Sequence, residues 1–257
     1  MKRKAPSLTA DWARVAAQIQ SSCRVAVILD FDGTLVNIAP RPDQVRLAHA
    51  ARRVLRRLAR HPRVRLVVIS GRRRAELQRY IGLPRIRYFG LYGWEHSGHS
   101  PLPSSTLIAL RDARARLSIH LSSIPGLWVE DKHFSLSVHF LDVPPPAQRR
   151  ARRTLRSVLQ PFHKSLRVIE NLRDAEIVPR CILGKGATVQ LFLAKPARCR
   201  VLPFYFGDDL SDEPAFEAVG EGVSIRVGAP RPTQARYSLR SPAAVAAVLA
   251  KLEAALI

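Results

Sequence analysis

Apolar positions along the chain fall into short unbroken runs and longer spaced stretches. The runs lie at 24–29 (RVAVIL), 64–69 (VRLVVI) and 201–206 (VLPFYF), each bounded by polar residues. Runs of that length without alternation predict strands buried on both faces. Between them, apolar residues recur three and four apart and predict amphipathic helices. These cover 48–60, with a stripe of Val54, Leu55 and Leu58; 73–81 (RRAELQRYI); ATVQLFLA after the Gly184-Lys185-Gly186 turn; and PAAVAAVLAKLEAAL near the end. APRPDQ reads as a loop, IRYFGLYG as a short strand, and VSIRVG as the last strand. Strand–helix–strand alternation predicts an α/β core built on a doubly wound parallel sheet.

The middle of the chain is patterned differently. SGHSPLPSST reads as a linker and 107–121 as a helix, after which WVEDKHFSLSVHF alternates like a half-exposed antiparallel strand pair. VPPPAQ breaks the chain, 149–160 is helical, and SLRVIENLRDAEIVP reads as strand–turn–strand. This predicts a smaller α+β domain over 97–181 with one open sheet face, inserted into a core made of 1–96 and 182–257. No internal repeat or low-complexity tract is present.

Charge changes this picture only slightly. A formal net charge of +22 over 257 residues suits either a polyanion partner or an arginine-rich surface. In ARRVLRRLARHP and AQRRARRTLRSVL the leucines and valines keep helical spacing while arginines fill the other faces, which favours solvated helices. No aromatic residues are interleaved for base stacking, so nucleic acid is not the expected partner. The positive field does suit small phosphorylated substrates. No apolar run is long enough to span a bilayer, and none follows the basic start as in a secretory leader, so no membrane association is expected. Cys23, Cys181 and Cys199 are far apart and lack CxxC spacing. That predicts a reducing, cytoplasmic setting with neither a disulfide framework nor a zinc site.

Candidate chemistry begins where the first buried strand ends, in DFDGTLV. Asp30 and Asp32 are like charges two positions apart, which costs free energy unless something opposes them. A second cluster, Asp208 and Asp209 with Asp212 and Glu213, follows the buried run VLPFYF. Alone, Asp208 would read as a helix cap. Two carboxylate clusters at the carboxyl ends of parallel strands can instead converge on a hard cation, and Mg²⁺ fits the oxygen donors. The expected ligands are Asp30, the Asp32 carbonyl and Asp208, with Asp209 and Asp212 around them. Thr34 and the Ser70-Gly71-Arg72 turn offer hydroxyls and amides to a phosphoryl group, and Lys185 could neutralise it. Taken singly, SGR is a turn and Lys185 a solvated lysine. Together they specify phosphoryl transfer: Asp30 as nucleophile, Asp32 as acid and then base, and Ser70 and Lys185 stabilising the transferring charge.

The order DxDGT, SGR, Lys, GDDxSDE resembles the haloacid dehalogenase superfamily of phosphotransferases, whose core is Rossmann-like and carries an inserted cap. Within it, DFDGTLVNIAPRPDQ, VVISGR, VEDKHFSLSVHF, AEIVP and YFGDDLSDEPAF are similar to segments of the trehalose-6-phosphate phosphatase family. The resemblance implies an Mg²⁺-dependent phosphatase acting through an aspartyl-phosphate, with Glu95, Glu130, Lys132, His139 and Glu176 reaching the sugar. Without it, alternating charges on a strand face read as solvated. Three positions depart from the family pattern: Tyr92 where a His is expected, and Leu141 and Val178 where Arg is expected. The resemblance also implies a trehalose-6-phosphate synthase as partner. A phosphatase for another sugar phosphate is the alternative reading, and a catalytically dead polyanion-binding domain is the third.

Overall fold

The computed structural model describes residues 4–39, 41–96, 101–140, 142–194 and 200–256. Its strands, in chain order, are β1 (Arg24–Leu29), β2 (Val64–Ile69), β3 (Arg87–Phe89), β4 (Trp128–Asp131), β5 (Leu136–His139), β6 (Leu166–Glu170), β7 (Asp174–Pro179), β8 (Val201–Gly207), β9 (Val223–Val227) and β10 (Tyr237–Leu239). The helices are α1 (Trp12–Ser21), α2 (His49–Arg60), α3 (Arg74–Ile81), α4 (Ser104–Leu121), α5 (Pro145–Leu159), α6 (Lys185–Leu193), α7 (Glu213–Ala218) and α8 (Pro242–Ala254). They form two compact units, Met1–His96 with Leu183–Ile257, and Ser97–Ile182.

In the first unit six strands pair in the order β10-β9-β8-β1-β2-β3, every pair parallel. The unbroken apolar runs explain this, because alternate residues of each strand enter different cores. Val25, Val27 and Leu29 of β1 pack with Leu66, Val68, Phe204 and Phe206 against α2 and α8. Ala26 and Ile28 point the other way, with Val67, Ile69 and Tyr205, toward α6 and α7. A sheet covered on both faces leaves its strand ends as the place for polar chemistry. The ends of β1, β2, β3 and β8 lie along one edge and deliver Asp30, Ser70, Gly90 and Asp208.

The second unit holds an antiparallel sheet in the order β4-β5-β7-β6. Leu136, Val138, Ala175 and Ile177 face α4 and α5, which contribute Leu110, Ala113, Leu117, Leu121, Ala151, Leu155 and Leu159 to one core. The period of two puts Trp128, Glu130, Ser137, His139, Asp174 and Glu176 on the opposite face.

Several expectations are corrected. VSIRVG is not the last strand: β10 pairs beside it over Tyr237–Leu239, three residues too short to show periodicity. In IRYFGLYG only Arg87–Phe89 is strand, and Leu91–Gly93 is a 3₁₀ turn with Leu91 and Tyr92 at φ 46° and 58°. Helices α1 and α7 were not anticipated. Cys23 is disulfide-bonded, against the expectation of unpaired cysteines, whereas Cys181 is free and exposed. Cys199, Leu141 and the 97–100 portion of the linker lie outside the described residues. Among the described residues no helix is long and apolar enough to cross a membrane.

Candidate active site

Leaving β1, the chain turns so tightly that Val36 returns beside Asp32, with Gly33 N–H donating to the Val36 carbonyl at 2.8 Å. Gly33 sits at φ 77°, and a Cβ there would lie 2.1 Å from an Asp208 carboxylate oxygen. Only glycine permits both the left-handed backbone and the approach of the second acidic cluster. The two clusters separated in sequence therefore meet. Carboxylate oxygens of Asp30, Asp208 and Asp212 lie within 4.8 Å of one another.

Lys185, the first residue of α6, is buried between them. Its Nζ donates to Asp30 Oδ1 and to Asp212 Oδ1, both at 2.7 Å. Asp212 also accepts from Tyr205 Oη at 2.6 Å and, through Oδ2, from the amides of Asp208 and Asp209 at 3.0 and 2.9 Å. All its acceptor positions are filled, so Asp212 acts as a hub that fixes Lys185 and the Asp208 loop. Asp209 turns toward its own helical turn and accepts from Leu210 N–H at 2.6 Å. Burial pushes Asp30 up to about 7, opposed by Lys185 and reinforced by Asp212 and Asp32. Asp208 is also raised, by burial and by the Asp30, Asp212 and Asp209 carboxylates. Burial works against the charge on Lys185, but Asp212 and Asp30 outweigh it and hold the ammonium above its ordinary range.

At the end of β2, Ser70 is buried and its Oγ accepts from Arg72 N–H at 3.2 Å. The Arg72 side chain forks onto Asp32, Nε to Oδ2 at 2.7 Å and Nη2 to Oδ1 at 2.8 Å. It lies between the rings of Phe31 and Tyr80, 5.5 and 5.2 Å from their centroids. Thr34 is fully buried, yet its Oγ1 has no hydrogen-bond partner. A buried hydroxyl left so costs about 1–3 kcal/mol, a debt that an oxyanion can settle.

The turn after β3 braces this edge. Tyr92 N–H donates to the Ser70 carbonyl at 2.8 Å, and Leu91 N–H to the Arg72 carbonyl at 2.9 Å. Glu95 is buried, with Oε1 accepting from Arg73 Nε at 2.8 Å and Oε2 from Arg74 N–H at 2.6 Å. The Tyr92 ring fills the space where a Cβ on Gly71 would sit, 2.8 Å away, and Lys185 Nζ is 6.0 Å from its centroid. Thr188 Oγ1 donates to the Tyr92 carbonyl at 3.0 Å.

The second unit carries its own polar cluster on the open sheet face. Lys132 bonds Glu176 and approaches Glu130 at 3.8 Å, while His139 Nε2 pairs with Glu130 Oε2 at 2.9 Å. Burial opposes the charge on Lys132, but Glu176, Glu130 and Asp174 push it up overall. Burial raises Glu176, against the pull of Lys132. Val178 is buried in β7.

The structure thus places Asp30, Asp32, Thr34, Ser70, Gly71, Arg72, Lys185, Asp208, Asp209 and Asp212 along one sheet edge. Glu130, Lys132, His139 and Glu176 lie together on one face of the second unit. Glu95 belongs to the first unit and spends both carboxylate oxygens on α3. Arg72, expected at a phosphate, lies on that same edge and forks onto Asp32. Sequence reasoning missed Tyr205, recognisable only as a polar group inside VLPFYF. It also missed Arg231 and Thr233, which bond Glu213 at 3.2 and 2.9 Å and carry no local signal.

The donor set suits a divalent cation. Hard carboxylate oxygens from separate strand ends converge, and burial together with mutual repulsion raises Asp30 and Asp208, which a dication would offset. With Asp212 saturated, Asp30 and Asp208 are the side chains that could hold it.

Comparison with known proteins places these features in context. A family model described as trehalose-phosphatase matches residues 28–243. A probable trehalose-phosphate phosphatase 4 of Oryza sativa subsp. japonica is 30% identical over 265 residues, covering 97% of this chain and 71% of that protein. A trehalose-phosphate phosphatase of Mycobacterium ulcerans is 33% identical over 243 residues, covering 89% of this chain. This chain spans 61% of that protein's length. Among solved structures, the C. albicans trehalose-6-phosphate phosphatase C-terminal domain superposes with a TM-score of 0.85 at 20% identity, covering 97% of this chain and 99% of that one. At that identity the likeness speaks to the fold.

Proposed function

Because the chain belongs to the trehalose-phosphatase family, we propose that it hydrolyses a sugar phosphate, trehalose 6-phosphate, to trehalose and phosphate. The observation that carries this reading is the meeting of Asp30, Asp208 and Asp212, from the ends of the adjacent parallel strands β1 and β8, with Lys185 at the start of α6.

An Asp30 carboxylate oxygen attacks phosphorus and the bond from phosphorus to the sugar oxygen breaks, leaving an aspartyl-phosphate. Asp32 gives its proton to the departing sugar oxygen. It then takes a proton from water, which attacks the phosphorus of the aspartyl-phosphate and releases phosphate and free Asp30. The Arg72 fork orients the Asp32 carboxylate between these steps. Lys185, Ser70 and the unsatisfied Thr34 hydroxyl supply charge and hydrogen bonds to the phosphoryl oxygens. Mg²⁺ held by Asp30, the Asp32 carbonyl and Asp208, when bound, supplies charge neutralisation between carboxylate and phosphate. Asp209 and Asp212 hold the loop that presents Asp208.

The second unit, as a specificity cap, would read the sugar hydroxyls with Glu130, Lys132, His139 and Glu176. A different sugar phosphate is the second reading, favoured by Tyr92 and Val178 in place of the family's residues. A phosphate-release screen over a panel of sugar phosphates, with and without Mg²⁺, decides between them. Release from another sugar phosphate but none from trehalose 6-phosphate would sink the first. A synthase supplying the substrate is the proposed partner, to be sought by co-purification. A cytoplasmic setting remains part of the proposal, and the Cys23 disulfide is the observation that weighs against it.

A further inference from the structure

We propose that Trp128 is the platform on which a pyranose ring of the substrate stacks, and so sets specificity alongside the polar cluster of the second unit. This rests on the reading above that the open sheet face takes the sugar.

The β4–β5 register places Trp128 directly opposite His139 and two residues before Glu130, so all three share one face. The indole and imidazole rings are stacked, with centroids 3.9 Å apart and planes 14° from parallel. The imidazole is itself fixed by Glu130 at 2.9 Å. His139 therefore covers one side of the indole and holds it in place, while 44% of the residue remains exposed. A large aromatic side chain held rigid beside charged groups is the arrangement that binds ligands with both an apolar and a polar side.

A pyranose is such a ligand: hydroxyls line its rim, and its axial C–H bonds make an apolar face. Lys132, Glu130 and Glu176 match the hydroxyls. Two further groups on the face point to the same chemistry, because Ser137 Oγ and Glu176 Oε2 are buried without hydrogen-bond partners. Ser137 lies opposite both Glu130 and Glu176 in register. A polyol can serve both atoms as donor and acceptor. None of these groups offers a surface to the C–H face, and Trp128 does. Its π face carries the partial negative charge that polarised C–H bonds seek.

The test compares wild type with Trp128→Ala, Trp128→Leu and Trp128→Phe, on trehalose 6-phosphate and on p-nitrophenyl phosphate, which lacks a sugar. Alanine and leucine should each raise KM for trehalose 6-phosphate about 10-fold with kcat little changed, and phenylalanine should stay within about 3-fold of wild type. Rates on p-nitrophenyl phosphate should be unaffected in all three. Leucine keeps the bulk and the strand propensity, so its melting temperature should match wild type and separate stacking from folding. A leucine variant with wild-type KM would overturn the proposal. If wild type turns over another sugar phosphate instead, the substrate reading fails alone and the same variants are measured on that sugar. If it turns over p-nitrophenyl phosphate but no sugar phosphate, both fall.

Discussion

The two units each set a lysine between carboxylates, and they do so by different means. Lys185 joins Asp30 and Asp212 across the ends of a parallel sheet, each residue arriving from a different strand–turn–helix segment. Lys132 joins Glu176 and Glu130 across an antiparallel face, where pairing register alone sets the neighbours. In the first case strand ends fix the backbone, and turns such as the one at Gly33 admit nothing larger, so the charges are held at one point, as the proposed phosphoryl transfer requires. In the second the charges alternate along strands and pave a surface, a geometry suited to recognition.

Asp30→Asn should break the first cluster most severely. It keeps the shape but removes the proposed nucleophile, and turnover should fall by about 10⁴-fold or more in a phosphate-release assay. Activity within tenfold of wild type would remove Asp30 from its role. Lys185→Met should lower kcat by about 10²–10³-fold on every substrate. It also strands two buried carboxylates, a loss of about 3–5 kcal/mol that a melting curve would register. Lys132→Met sharpens the contrast: KM for trehalose 6-phosphate should rise about 10²-fold, with p-nitrophenyl phosphate hydrolysis nearly unchanged. Equal losses on both substrates would show that the second cluster does more than recognise sugar. Smallest of all, Glu95→Gln keeps an acceptor for Arg74 N–H and loses the ion pair with Arg73, so kcat/KM should fall about 3- to 10-fold. A large KM effect confined to the sugar substrate would return Glu95 to the sugar-contacting role that the family resemblance implied.

The convergence of these groups on one sheet edge was legible in sequence because each part is local. DFDGT, SGR and GDDLSDE are each a strand end followed by a turn, where an apolar run announces that the strand stops, and GKG is a glycine-flanked helix start. The partners that tune these groups were not legible. Tyr205 donates to Asp212 from within a buried strand, and Arg72 forks onto Asp32 with its guanidinium between the rings of Phe31 and Tyr80. Glu95 looked like a ligand because it lies in a segment with a family counterpart, yet it stabilises the start of α3. On the second unit the period of two sorted faces correctly, and it could not reveal that Trp128 meets His139, which depends on how many residues the β4–β5 turn contains. Strand β10 depends likewise on a contact set by pairing and not by local sequence.

The smaller unit enters as one uninterrupted segment, after His96 and before Leu183, and no strand of the six-stranded sheet comes from it. Divergence can therefore act on the two parts at different rates. Substitutions, lengthened turns or wholesale replacement between those two points change what is presented to the reaction without disturbing the hydrogen-bonded order of β8, β1 and β2. Such a chain can acquire a new diet while keeping its old chemistry.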